Sequence, residues 1–415
     1  MLNPETNVAV ISTQGPSAAL EAMAALDRGV HVFCPSNHVS IEDEVRLKAL
    51  ARERGLLFMG PDCGSAIIDG VPFGFANATR RGPIGIVAAS GSGMREVVCL
   101  LDRGWQSMLP PFGISQAVGV GSRDLSAAVS GPMMLASLEM LADDPQTELI
   151  VLIATRPDPM VASRVWLKAT KLEKPVIVCF QGWSEDVAHN LLGGPVGLQS
   201  AGFVPDGNPV GVVSSLFEAA ITAAHWGNGY RGAVEFSRQW KSGEPGQPGR
   251  LLGLFSGEAV LREAEGVLRD PGSIGLNEAD PGRFRCELMD LGGDAWSTGE
   301  SHPIVDPQGC ADRIRAAAYD RDLGIILLDG VLGFGAHADP ASVLAPSIRE
   351  ARAAAAADGR HLVVIASLCG TVADSQGWES QRKTLAAAGA IVMPSVFDAA
   401  CHAAFLMAAA LTVAG

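Results

Sequence analysis

Short apolar runs and amphipathic stretches alternate along most of this chain, and that alternation leaves few folds open. Residues 7–60 read in turn "NVAVIST", "PSAALEAMAALDRG", "VHVFCPS", "SIEDEVRLKALARERG" and "LLFMG", strand and helix by turns. Strands that each return through a helix lie parallel, because a right-handed crossover carries the chain back across the sheet before the next strand begins. Ser40 stands before Ile41 with Glu42, Asp43 and Glu44 behind it, which marks a helix start. Gly29 and Gly55 follow the two helices where a left-handed residue ends them.

The pattern resumes twice. "GPDCGSAIIDGVPFGFANATRRG" (60–82) is turn-rich without a helical period and reads as a crossing, which puts a boundary near 82. Beyond it come "GPIGIVAAS", a helix over 93–104, "ISQAVGVGS", a helix near 131–142, "TELIVLIAT", a helix near 159–172, "KPVIVCF" and a helix around 210–225. Residues 229–250 mix Gly, Pro and charge and read as a linker. The third unit, 251–415, then repeats the pattern from "LLGLFSG" to a final helix over 396–413. A chain of 415 residues is long enough for several cores at roughly 150 residues each, so domains of 1–82, 83–228 and 251–415 are expected.

The charge balance excludes one class of partner. Thirty-one Lys and Arg against 45 Asp and Glu leave a net charge of −14, so a nucleic acid, which needs basic patches, is not expected. The eight cysteines form no C-x-x-C pair and read as buried free thiols in a reducing cytosol. "MLNPETNVAV" lacks the basic and apolar regions of a signal peptide, and "DAACHAAFLMAAALTVAG" is too short and too interrupted for a membrane span. The expectation is a cytoplasmic protein with no membrane contact.

Two junctions between strand and helix share a design that suits anions. "IGIVAA" runs into Ser90, Gly91, Ser92 and Gly93 before a helix, and "GIILLDGVLG" runs through Gly333 into Phe334, Gly335 and Ala336 before another. Glycines there admit a ligand close to the backbone, and free N–H groups at a helix start carry about half a positive charge. One such turn also serves the fold alone, since every α/β unit needs tight turns at its strand ends. Neither is a Walker loop, because no G-K-[ST] follows, and Ser92 is not in a G-x-S-x-G elbow. A third segment, "DLGGDAWSTGESHPIVDP" (290–307), gathers Asp290, Asp294, Glu300, His302 and Asp306 after a strand. His302 there suits proton transfer or oxyanion stabilisation, or else bonds loop carbonyls. Its carboxylates match no metal-ligand spacing, so no metal is expected. His337 is expected on the first turn of the second helix; His31, His38, His189, His361 and His402 read as structural or surface residues.

Five of these segments together resemble a known family. "FMGPDCGSAIIDG", "GPIGIVAASGSGMREVV", "LEMLADDPQTELIVLI", "ELMDLGGDAWSTGESHPIVDP" and "LLDGVLGFGAHADP" are similar to FdrA proteins, relatives of succinyl-CoA synthetase and other ADP-forming acyl-CoA synthetases. The resemblance spans nearly the whole chain. It implies a partial CoA-binding Rossmann-like domain over 1–82, a flavodoxin-like ligase domain like that of the succinyl-CoA synthetase α subunit over 83–228, and one like that of the β subunit over 251–415. It also implies that the two helix ends face a shared phosphate. Three departures accompany it. No Gly-His-Ala-Gly-Ala run for a phosphohistidine occurs, the comparable stretch being "VAHNLLGGPVGLQSAG"; the chain opens at "NVAVIST" without a Gly-rich turn for CoA; and no ATP-grasp domain is present.

FdrA proteins are similar to components of oxamate carbamoyltransferase, which implies interconversion of oxalurate plus phosphate with oxamate plus carbamoyl phosphate, in company with other subunits or as a homo-oligomer. On that reading Ser90, Gly91, Ser92, Gly93, Gly333, Gly335 and Ala336 hold phosphate, His302 and His337 are catalytic, and Asp294 and Asp306 meet the substrate. Phosphate or carbamoyl phosphate is then a substrate and no cofactor is required, the departures counting against CoA and ATP. The alternatives are a subunit of an ADP-forming acyl-CoA synthetase and a non-catalytic scaffold.

Overall fold

A computed structural model describes residues 5–104, 111–182, 210–227, 249–274, 276, 284–293 and 301–413. The chain divides into two compact units, Met1–Glu235 and Phe236–Gly415.

The first unit opens with a three-stranded parallel sheet of β1 (Val8–Val10), β2 (His31–Phe33) and β3 (Phe58–Met59), in that order. Val8 pairs with His31 and Val32 with Phe58. The connecting helices are α1 (Pro16–Asp27) and α2 (Ile41–Glu53). Their ends follow the sequence signals: Ser40 Oγ accepts the Asp43 N–H at 3.0 Å, and Gly29 and Gly55 adopt φ of +73° and +65°.

A seven-stranded sheet follows, made of β4 (Ser65–Ile68), β5 (Val71–Gly74), β6 (Arg81–Ala88), β7 (Ile114–Gly119), β8 (Leu149–Thr155), β9 (Val176–Gln181) and β10 (Val210–Val213). Its order is β10-β9-β8-β6-β7-β4-β5, with every pair parallel except those made by β4. The helices α3 (Gly91–Arg103), α4 (Pro132–Asp143), α5 (Pro159–Ala169) and α6 (Leu216–Gly227) connect and flank it. Counted from β6, the strands run 2-1-3-4-5, the flavodoxin-like order, and Leu149 to Ala154 of the central β8 are all buried.

Two segments differ from the sequence expectation. Residues 65–74 are not a bare crossing but an antiparallel hairpin, turned at Asp69 and Gly70, whose φ of +50° and +79° suit an Asp-Gly hairpin turn. The helix expected around 210–225 is a strand, Val210–Val213, followed by a helix from Leu216. The β-branched run "VGVV" extends the sheet edge before Ser215 Oγ accepts the Glu218 N–H and starts the helix.

The second unit has five parallel strands, β11 (Arg250–Phe255), β12 (Cys286–Asp290), β13 (Leu323–Val331), β14 (Val363–Cys369) and β15 (Ile391–Met393), ordered β12-β11-β13-β14-β15. This is again 2-1-3-4-5. Helices α7 (Glu258–Arg269), α8 (Gln308–Ala317), α9 (Pro340–Ala357), α10 (Trp378–Ala387) and α11 (Val396–Val413) connect and cover the strands. The expected linker 229–250 lies outside the described residues except for Gly249 and Arg250, which opens β11. All eight cysteines are free, and all but Cys286 are buried. Among the described residues no helix is long and apolar enough to cross a membrane.

Candidate functional site

In a 2-1-3-4-5 sheet the connections leave strands 1 and 3 in opposite directions, and the crevice at their carboxyl ends is where such folds bind ligands. Ser90 follows strand 1 of the first unit. It is the N-cap of α3, and its Oγ accepts the Gly93 N–H at 3.3 Å, with Ser92 Oγ also 3.3 Å away. The Met94 N–H goes to the Ser90 carbonyl. Among the described residues the N–H groups of Ser90, Gly91 and Ser92 donate to nothing. Three successive amides, at the positive end of a 13-residue helix, remain available to an anion.

The loop before β4 backs this turn. A Cβ placed on Gly91 would meet Gly64 Cα at 3.6 Å and Ser65 Oγ at 3.7 Å, and buried Arg95 donates to Ser65 Oγ at 3.3 Å. Asp62, Cys63 and Ser65 therefore serve chiefly as framework. Asp62 accepts from Ser122 Oγ at 2.6 Å, and burial pushes the Cys63 thiol up to about 12.

The second unit differs at both of its corresponding turns. The helix after β13 begins at Pro340, so Gly333, Gly335 and Ala336 lie in a preceding turn and do not form a helix N-terminus. That terminus is closed by its own side chains. Asp339 is the N-cap and accepts the Ser342 N–H at 3.2 Å, while Gln381 accepts the Ala341 N–H at 2.9 Å and donates to Asp339 at 2.9 Å. His337 likewise precedes the helix, and its Nδ1 accepts the Asp339 N–H at 3.1 Å. Gln376 holds the turn by accepting from Gly333 N–H at 3.3 Å and donating to the carbonyls of Gly333 at 2.8 Å and His337 at 3.3 Å.

His302 belongs to the same assembly. Its Nδ1 accepts the Ile304 N–H at 3.3 Å, which leaves the proton on Nε2, and the Ile304 carbonyl accepts the His337 N–H at 2.8 Å. The ring lies over Gly292, where a Cβ would come within 2.8 Å of Nε2. Asp306 is exposed and helps start α8, one of its oxygens accepting the Gln308 N–H at 3.0 Å. Asp294 lies outside the described residues.

Sequence reasoning named Asp290 but missed the acids that join it in this crevice, Asp329 and Glu258. Ser256, at the end of strand 1, gives its N–H to one oxygen of Asp329 at 2.9 Å and its Oγ–H to the other at 2.5 Å. Burial raises Asp290 to about 6, and the carboxylates of Asp329 and Glu258 push the same way; the Gly292 and Gly293 N–H groups partly offset this. The only sign in sequence was a Ser-Gly at the end of each first strand. Ser256, Asp329, Pro303, Ile304, Cys310 and Leu344 border a pocket of about 20 Å³, room for about one water molecule. Among the described residues no group of three or more His, Cys, Asp or Glu is placed to hold a metal ion.

Comparisons with known proteins agree with this architecture. The CoA-ligase family model matches residues 264–406, within the second unit. Succinate–CoA ligase [ADP-forming] subunit alpha-2, mitochondrial, of Trichomonas vaginalis is 28% identical over 186 residues, 43% of this chain and 57% of that protein. Residues 264–406 thus form a CoA-ligase-like domain, in a chain that is similar to succinate–CoA ligase alpha subunits. The uncharacterized protein YahF of Escherichia coli (strain K12) is 39% identical over 403 residues, 94% of this chain and 75% of YahF. The chain belongs to the family of YahF. Among solved structures, PH0766 from Pyrococcus horikoshii OT3 aligns with 99% of this chain and 86% of its own at 16% identity and a TM-score of 0.36, too loose a likeness to argue from.

Proposed function

We propose that the chain is the phosphate-handling subunit of an ADP-forming acid–thiol ligase and acts with a partner subunit that binds the nucleotide. In such a reaction a carboxylate takes the γ-phosphoryl group of ATP and releases ADP. A CoA thiolate then attacks the acyl carbon, the C–O bond to phosphate breaks, and inorganic phosphate leaves. ATP and CoA are substrates here. The observation that carries the proposal is the turn at Ser90–Ser92, whose three unengaged amides match phosphate oxygens without any lysine. The likeness of the chain to a succinate–CoA ligase alpha subunit supports the same reading.

One observation favours a second reading. The sequence has no Gly-His-Ala-Gly-Ala run to carry phosphate between sites. Direct attack of phosphate on a carbamoyl group needs no such carrier, as in the oxamate carbamoyltransferase chemistry that the FdrA-like motifs imply. There a phosphate oxygen bonds to the ureido carbon of oxalurate, the C–N bond breaks, and the departing oxamate nitrogen takes a proton. His302, with Nε2 protonated, is the group we assign to that transfer.

Two assays run side by side separate the readings. The chain, with each candidate partner subunit, is tested for CoA- and carboxylate-dependent release of ADP from ATP, and for carbamoyl phosphate formed from oxalurate and phosphate. Thioester formation supports the first reading, carbamoyl phosphate the second. Partners that show the same full activity with and without this chain leave a scaffold.

A further inference from the structure

The edge of the second unit away from Ser256 and Asp329 holds a basic pocket of about 460 Å³. Its walls are the last turns of α9 and α10 with the residues that enter β14 and β15, among them Leu362 and Gly389. It therefore lies where the parallel strands begin, whereas the switch-point crevice lies where they end. Arg349, Arg352, Arg360 and His361 line it, in a chain of net charge −14.

Arg349 and His361 are exposed and Arg352 and Arg360 half-buried, and three observations bear on the group. Arg349 and Arg352, one turn apart on α9, make no ion pair or hydrogen bond among the described residues. By contrast Arg315 and Arg382 of the same unit each have a carboxylate at 2.7 Å. Arg352 lies against Gly389, whose φ is +92° and where a Cβ would stand only 1.6 Å from Nη1, so glycine leaves the guanidinium its place. Arg360, with its side chain 9% exposed, gives its Nη groups to the carbonyls of Asp320 at 3.1 Å and Ala318 at 2.5 Å, with Asp358 at 3.5 Å. Its Nε is buried without an acceptor. The α9 dipole does not account for the group, because its pull fades beyond the last turn and both Arg349 and Arg352 lie further back.

We propose that this pocket binds a small polyanion, a metabolite bearing phosphate or several carboxylates. Its volume falls in the usual range of about 300–1,000 Å³ for small-molecule sites, and paired guanidinium groups suit planar carboxylate and phosphate oxygens. The site stands apart from the switch-point chemistry and holds whichever reaction that crevice performs.

Titration calorimetry of the full chain at constant ionic strength tests it, with pyrophosphate and citrate as separate probes and chloride as background. Either probe binds the native chain. R352Q weakens that binding at least tenfold. R382Q removes the same charge from a paired surface site and leaves the affinity within twofold. Preference for pyrophosphate marks a phosphate site; preference for citrate marks a polycarboxylate site. No binding of either probe at millimolar concentration overturns the proposal, as does equal weakening by R352Q and R382Q. Binding of poly-glutamate without either small anion also overturns it, in favour of an acidic partner segment.

Discussion

Ser90 and Ser256 hold the same place in two sheets of the same strand order, each at the end of the first strand with a glycine behind it, and their surroundings are opposite in charge. Around Ser90 the chain leaves three amides open. Around Ser256 it supplies Asp329, Asp290 and Glu258, and the helix start that follows β13 is closed by Asp339. A helix end is therefore not an anion site by topology alone. What decides is whether the chain has already placed its own carboxylate there, since one internal acid satisfies the amides and repels a ligand at the same time.

The open turn depends on a rigid frame, and the largest expected effect comes from breaking it. Lys48 of α2 is wholly buried and gives its three protons to Glu44 at 2.8 Å, Asp124 at 2.9 Å and the Val120 carbonyl at 2.9 Å. Asp124 in turn accepts the Met133 and Met134 N–H groups at the start of α4. The residues that follow strand 2 of the sheet are thereby tied to the three-stranded layer. Lys48→Ala removes the buried cation shared by Glu44 and Asp124, leaving Glu44 with only Arg123 at 2.8 Å, and should cost about 3–5 kcal/mol in the unfolding of the first unit. Denaturant melts read it, and a loss below about 1 kcal/mol would show that the frame is held by other means.

A smaller effect should separate charge from fold at the turn itself. Ser90→Asp keeps a good N-cap but introduces the carboxylate that the second unit uses at Asp339. Stability should change by less than about 1 kcal/mol, while turnover in whichever assay proves active should fall about 100-fold, or about 2.7 kcal/mol. Ser90→Asn, a neutral cap of the same shape, should retain most of the activity. Equal activity in the Asp and Asn variants would remove the anion from this turn.

These contrasts mark how far the sequence could be read. Alternation of strand and helix identified most elements, because parallel strands buried on both faces are continuous apolar runs, as in Leu149–Thr155. The hairpin at 65–74 was overlooked although Asp69-Gly70 carries its turn signal, since the glycines around it masked the strands. At the site, the serine and glycines of the first turn were legible from local spacing. Asp329 was not, because it reaches Ser256 across 73 residues through the pairing of neighbouring strands, and no local pattern announces such a bond. The displacement of Gly333, Gly335 and Ala336 from the helix start has a local cause that was available: Asp339-Pro340 is a better start signal than the glycines before it. His361, set aside in sequence for want of a partner, lines the basic pocket because the turns ending α9 and α10 are neighbours only in the fold.

The smallest effect sharpens the acidic half of the comparison. Asp290 titrates near 6 in the folded chain against an ordinary 3.8, so the folded form binds more protons than the unfolded form between those values. Stability accordingly falls as pH rises from about 4 to about 6, and the full penalty persists above about 7. Asp290→Asn retains an acceptor for the Gly292 N–H and removes the charge. It should therefore stabilise the second unit by about 1–3 kcal/mol at pH 8, with the gain shrinking as pH falls through 6 and vanishing below about 4. Melting curves of both proteins from pH 4 to 8 measure the gap. A gap that stays constant with pH would mean that neither burial nor the carboxylates of Asp329 and Glu258 raise Asp290, and the acidic character assigned to this crevice would lose its support.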